Sequence, residues 1–241
     1  MLLLINNTVK SNTAISSVPK LKLALRTLNM GFYEVKGPKI HPEVFDPTGP
    51  IFRNITGIII SGSSAKLTQI GTDISKYVHI LHYLRAFQHV PVLGICFGAQ
   101  LLLTLYGGAL VDNRKYTSRS VPIQVLKTHK MFRQGGIRPP KTPLRPETPL
   151  RPETPLRRTR AVGFEGALDA PSSNTIVASF NFSDIPIMPP STRKVKPIAW
   201  VNGNTTSLAV AYEFERGRVY GCLFHPELNP DTYYIIKNVF G

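Results

Sequence analysis

Between His89 and Asp112 the chain runs through 22 residues without a formal charge. That length would satisfy the thickness of a bilayer. Its punctuation excludes a single span, because Pro91, Gly94, Gly98, Gln100 and the pair Gly107-Gly108 divide it. What remains is Val90–Ile95 as a short strand, a tight turn, and Ala99–Tyr106 as a helix that stops at Gly107-Gly108. Both pieces are apolar on nearly every side, so both must be buried. A fully buried strand that feeds a buried helix belongs to a layered α/β sheet.

The rest of the first half repeats this alternation. Leu2–Asn6 is an apolar run suited to a parallel strand, and Met1-Leu2-Leu3-Leu4-Ile5 is too short and lacks the basic leader of a signal peptide. Apolar residues at 21, 23, 25 and 28 predict a helix from Lys20 to Met30, closed by Gly31. Phe32–Lys36 is the next strand. Gly57-Ile58-Ile59-Ile60 is another, and it ends in the loop Ser61-Gly62-Ser63-Ser64. Tyr77–Gln88 carries a helical apolar stripe. In the second half Val121–Leu126, Thr175–Phe180, Ile198–Val201, Leu208–Glu213 and Arg218–Leu223 read as strands, the last two joined through Arg216-Gly217. Thr232–Phe240 closes with a helix. The pattern predicts a flavodoxin-like doubly wound α/β fold, with a mostly parallel sheet and an antiparallel extension.

At 241 residues, one domain spanning 1–241 is the simplest count, interrupted by an insertion at about 136–159. The insertion holds Thr142-Pro143-Leu144-Arg145-Pro146-Glu147, repeated at 148–153 and truncated at 154–158. Proline at two of every six positions excludes helix and central strand and predicts an extended surface loop. PxxP spacing at Pro143/Pro146 and Pro149/Pro152 would suit an aromatic groove, while a repeat expansion tolerated at a surface loop is the simpler reading. The net charge of +15 points first to nucleic acid. From Lys130 to Arg160, however, nine Lys or Arg face two Glu, so a net seven of those charges sit in the one stretch that also holds the repeat. The repeat carries no aromatic residue to stack on bases, which argues against nucleic-acid binding.

Two cysteines, Cys96 and Cys222, do not make a disulfide framework, and a cytoplasmic setting without membrane attachment is expected. Cys96 sits in Gly94-Ile95-Cys96-Phe97-Gly98-Ala99-Gln100, between strand and helix. A nucleophile on such a turn needs small neighbours, which Gly94 and Gly98 supply at minus two and plus two. The N-terminus of the following helix there favours thiolate over thiol. Phe224-His225-Pro226-Glu227 follows the Arg218–Leu223 strand. Imidazole can take and return a proton near neutral pH, and the Glu227 carboxylate can orient it. Cys222 is read as a core residue. His79 and His82 lie three apart without a partner carboxylate or cysteine, so they read as exposed helix residues and no metal is expected. No G-x-x-x-x-G-K-[ST] loop is present, and no cofactor is called for.

Gly94–Gln100 together with Phe224–Glu227 resembles the paired signature of class I glutamine amidotransferases. The likeness extends to the Leu3–Asn7 strand, the Ile60–Ser64 loop, Gly107-Gly108, Tyr220-Gly221 and the Tyr233–Phe240 helix, and is nearest to the glutaminase subunit of GMP synthetase. The resemblance implies that Cys96, His225 and Glu227 form a catalytic triad and that glutamine is the substrate. It implies a γ-glutamyl thioester on Cys96 and release of ammonia to an ATP-dependent synthetase subunit on another polypeptide. It also implies that Gln100 contacts the glutamine, and that the N–H of Phe97 with one from Gly62-Ser63 holds the oxyanion. Two departures stand out. Ser61-Gly62-Ser63-Ser64 replaces the family's Ser-Gly-Gly-Pro, and Val162-Gly163-Phe164-Glu165 stands where the family has Ser-His-x-Asp. Two other readings therefore stay open: a free-standing γ-glutamyl hydrolase, and a non-catalytic binding protein that retains the fold.

Overall fold

The computed structural model describes residues 1–8, 17–37, 39, 41–70, 77–112, 118–134, 173–181, 184–187, 195–202, 207–214 and 217–241. The proline-rich insertion and the 162–165 segment lie outside these residues.

In chain order the strands are β1 (Leu2–Asn6), β2 (Phe32–Lys36), β3 (Gly57–Ile60), β4 (Val92–Ile95), β5 (Ala109–Asp112), β6 (Ser118–Leu126), β7 (Ser173–Asn181), β8 (Asp184–Ile187), β9 (Val195–Asn202), β10 (Ser207–Phe214), β11 (Val219–Cys222) and β12 (Phe224–His225). The helices are α1 (Val18–Thr27), α2 (Pro42–Phe45), α3 (Pro50–Asn54), α4 (Leu67–Ile70), α5 (His79–Ala86), α6 (Phe97–Leu105) and α7 (Tyr233–Phe240). Among the described residues one ten-stranded sheet runs β12-β7-β6-β9-β10-β11-β4-β3-β1-β2, and β5 pairs with β8 alone.

The sheet has two characters. Its β2-β1-β3-β4-β11 half is parallel throughout, in the flavodoxin-like order. From β11 to β12 every pairing is antiparallel, which is the expected extension. Parallel strands lie under helices on both faces, and β1, β3, β4 and β11 are accordingly buried along their whole length. Helix α6 buries Phe97, Leu101, Leu102 and Leu103, each contributing about 1.5–3 kcal/mol of apolar transfer. The 22-residue uncharged run is thus β4, a turn, α6 and the start of β5. No described helix is long and apolar enough to cross a membrane.

Helix ends show where local chemistry was read correctly and where it was not. At α6, Gly107 takes φ 88° while its N–H and that of Gly108 bond to Thr104 and Leu103, a left-handed stop as expected. At α1 the stop is Asn29, not Gly31. Asn29 takes φ 54°, its N–H bonds Arg26 O, and Met30 N–H bonds Leu25 O. Asparagine is the one common alternative to glycine in that conformation, and it ends the helix two residues early. His79 is also corrected. It is buried and edge-on to Tyr83, whereas His82 is exposed. Among the described residues no cluster of metal-ligating side chains forms.

Candidate active site

Strand β4 ends at Ile95 and α6 begins at Phe97, which leaves one residue to reverse the chain direction. That residue is Cys96, at φ 51° and ψ −107°. Apart from Asn29 it is the only described non-glycine residue at positive φ. Such a conformation persists only where the surroundings fix it. Here the Cys96 N–H bonds Cys222 O at 2.8 Å on the neighbouring β11, and Cys96 O accepts the Gln100 N–H at 3.0 Å. The flanking glycines are required by close approach. A Cβ on Gly94 would lie 2.6 Å from Gly98 O, and one on Gly98 would overlap the carbonyl oxygen of Ile60. The turn is therefore wedged between α6 and the end of β3. The Phe97 N–H opens α6 and has no carbonyl within the helix to bond.

Strand β11 delivers the second group. It runs parallel to β4, with Cys222 beside Ile95, so the chain emerges next to Cys96. His225 follows in β12, and Pro226 opens a short 3-10 turn over Pro226–Leu228 that folds Glu227 back. His225 Nδ1 lies 2.8 Å from Glu227 Oε1, which leaves Nε2 as the free ring nitrogen. Glu227 is fully buried and its Oε2 has no hydrogen-bond partner among the described residues. Burial alone would lower the His225 pKa. The charges of Glu227 and then Cys96, with the hydrogen bond to Glu227, outweigh it and hold the imidazole well above its ordinary value.

The third piece comes from β3. A Cβ placed on Gly62 would lie 3.2 Å from His225 Cε1 and 3.5 Å from Cys96 Cβ, so this loop closes over the pair. Ser63 Oγ accepts the Ala65 N–H at 3.1 Å, which keeps its side chain in the loop. Gln100 is buried one turn beyond Cys96 on α6. The structure thus gathers Cys96, His225, Glu227, Gly62 and Phe97 at the carboxyl end of the parallel strands, where open α/β sheets bind ligands. An arrangement of this kind can attack an acyl carbon, shuttle the proton through imidazole and stabilise an oxyanion with backbone N–H groups. Cys222 is buried as expected. Desolvation first, then the charges of Glu227 and Cys96, raise its thiol well above the usual range.

Four further residues shape the site through contacts that the sequence patterns do not mark. Ser17, the residue before α1, brings its Oγ to 3.5 Å from the Gly62 Cβ position. Asn7 and Ser61 join the ends of β1 and β3. Thr232, read only as a helix start, is buried and its hydroxyl lies 2.7 Å from both Pro226 O and Asn229 O. For Ser61 the available signal was a short polar side chain directly after a buried apolar run, whereas nothing local marks Ser17 or Thr232.

A family model described as glutamine amidotransferase class-I matches residues 25–141. The chain is 30% identical over 97 residues to the glutamine-hydrolyzing GMP synthase of Wolbachia pipientis, a match covering 39% of this chain and 18% of that protein. It is 31% identical over 103 residues to a candidate glutamine amidotransferase-like protein of Schizosaccharomyces pombe, covering 42% of this chain and 40% of the other. These matches span less than half the length of either relative. Among solved structures, a candidate GMP synthase subunit from Thermoplasma acidophilum superposes with a TM-score of 0.65 at 18% identity, over 100% of this chain and 92% of that one. PurLQS of Thermotoga maritima gives 0.62 at 14% identity, over 99% and 95%. At these identities the structural likeness establishes the fold.

Proposed function

We propose that this chain, which the class I glutamine amidotransferase model matches over residues 25–141, is a glutaminase using Cys96, His225 and Glu227 as its catalytic triad. One observation carries the proposal. The strained Cys96 and His225 meet under the same Gly62 loop, and the imidazole Nδ1 is held 2.8 Å from a fully buried carboxylate. In this reading the Cys96 sulfur attacks the side-chain carboxamide of glutamine, and the Phe97 N–H with one from Gly62-Ser63 takes the developing oxyanion. His225 returns a proton to the departing nitrogen, and ammonia leaves a γ-glutamyl thioester. Water deprotonated by His225 then hydrolyses the thioester, releasing glutamate and the thiol. Gln100 would contact the bound amino acid from α6.

The ammonia goes, in this proposal, to a separate ATP-dependent synthetase, of which a GMP synthetase subunit is the leading example. The Wolbachia relative, a glutamine-hydrolyzing GMP synthase, supports this choice. A cytoplasmic, reducing setting suits a thiol nucleophile and two unpaired cysteines. The test is covalent labelling by 6-diazo-5-oxo-norleucine, read by intact mass. A single adduct, blocked by excess glutamine and absent in Cys96→Ala, is the expected result. Labelling by a general thiol reagent but not by the glutamine analogue would reject glutamine and favour a different γ-glutamyl substrate.

A further inference from the structure

We propose that Ser61 and Asn7 are positioning residues that fix the direction in which the Gly62-Ser63 peptide presents its N–H to the site, an inference that rests on Cys96 being the nucleophile. Ser61 extends the parallel ladder one residue past β3, its N–H bonding Ile5 O at 3.0 Å. Its side chain is fully buried. The Asn7 N–H, which can only donate, reaches Ser61 Oγ at 2.9 Å. The hydroxyl has one proton, and it points to Gly62 O, also at 2.9 Å. The Asn7 side-chain Nδ2 meanwhile donates to Ser61 O at 3.1 Å.

Both carbonyls around Gly62 are therefore held on one side. In a trans peptide the C=O and the following N–H point in opposite directions. Holding Ser61 O and Gly62 O consequently turns the Gly62 and Ser63 N–H groups away from these bonds. Glycine at 62 would otherwise let this peptide rotate freely. Position 62 cannot carry a side chain without crowding His225 Cε1, at 3.2 Å, so rigidity has to come from its neighbours. Asn7 is itself locked. It is buried, and a Cβ on Gly37 would overlap its carboxamide. Its Oδ1 has no hydrogen-bond partner among the described residues, and its Nδ2 bond goes to the loop.

The experiment separates chemistry that builds an oxyanion from chemistry that does not. With p-nitrophenyl acetate the Cys96 sulfur adds to the carbonyl carbon, a tetrahedral oxyanion forms, and p-nitrophenolate leaves as the acetyl thioester is made. With iodoacetamide the sulfur displaces iodide from a methylene carbon, and no oxyanion appears. In Ser61→Ala the acetylation burst is expected to fall about 10- to 100-fold, below the loss from deleting a whole oxyanion donor. Alkylation of Cys96 is expected to stay within about twofold of the unsubstituted protein, since the hole is not used. Asn7→Ala, which leaves the hydroxyl in place, carries the same test should Ser61→Ala not fold. Equal acetylation rates, or a parallel fall in both reactions, would overturn the proposal and leave the glutaminase reading standing. An unsubstituted protein that shows the split against Ser61→Ala yet releases no ammonia from glutamine would overturn the glutaminase reading instead.

Discussion

Cys96 stands in a backbone conformation that costs on the order of 1–3 kcal/mol, and its neighbours meet that cost through contacts only glycine allows. Replacing Gly98 by alanine forces a methyl group into the Ile60 carbonyl, where no flexible side chain can give way. Gly98→Ala is expected to lower stability by about 1–3 kcal/mol, read as a fall in denaturation midpoint, and to slow alkylation of Cys96 as the turn shifts. The elbow was legible in sequence for the same reason: two glycines at fixed offsets around a cysteine leave few other structures. The Asn29 stop was less legible, because a glycine two residues on gave a stronger but wrong signal. Removing the Glu227 charge tests the relay. In Glu227→Gln the burial that lowers the His225 pKa is no longer outweighed to the same degree, so its titration should move to lower pH. The carbon-bound proton resonances of His225, followed against pH, measure this directly, and an unchanged midpoint would refute the assigned cause. Because the folded pKa is raised above the unfolded one, protonation of His225 stabilises the fold fully below about pH 6.5. That contribution is lost as pH rises through the higher folded value, and Glu227→Gln should flatten this dependence.

The turn that carries His225 and Glu227 has little regular hydrogen bonding of its own, spanning a two-residue strand and three residues of 3-10 helix. Its shape depends on Thr232, whose hydroxyl reaches back to Pro226 O and Asn229 O at the foot of α7. Thr232→Val keeps the volume and leaves both carbonyls without that donor. It is expected to cost about 1–3 kcal/mol and, under the proposed triad, to reduce turnover with little change in KM, since the His225 turn rather than the substrate loses its place. A rise in KM at constant kcat would show instead that the turn lines the pocket. Elements with ten or so residues and a clear period, such as α1 and β6, could be read from sequence to within a few residues. The helices α2 and α3 could not, because four or five residues opened by a proline show no periodicity. Strand β12 was missed in the same way. Its two residues pair with Phe180 and Ser179 far away in the chain, and nothing local marks them.

Across the molecule, five parallel strands build the site and the antiparallel strands extend it from the β11 edge. The parallel half was readable because strand and helix alternate along the chain. The position of β11 was not, because its pairing with β4 joins segments separated by the whole second half. The same architecture decides what the proline-rich repeat can affect. Leu126 pairs with Ser173 in the β6–β7 ladder, so the connection containing the repeat starts and ends beside the same part of the sheet. The described residues after β6 are fastened independently of it. Asn238 on α7 donates to Met131 O and Arg133 O, and His129 meets Glu213 on β10. Removing the 17 residues 142–158 therefore shortens a connection whose ends are already fixed. Its effect on closure entropy is about 0.6 kcal/mol or less, in the stabilising direction. The deletion is expected to leave the denaturation midpoint within about 2 °C and glutamine turnover within about twofold. A loss of turnover at unchanged stability would make the repeat part of the proposed substrate site, and a fall in both would mean that it packs on the sheet.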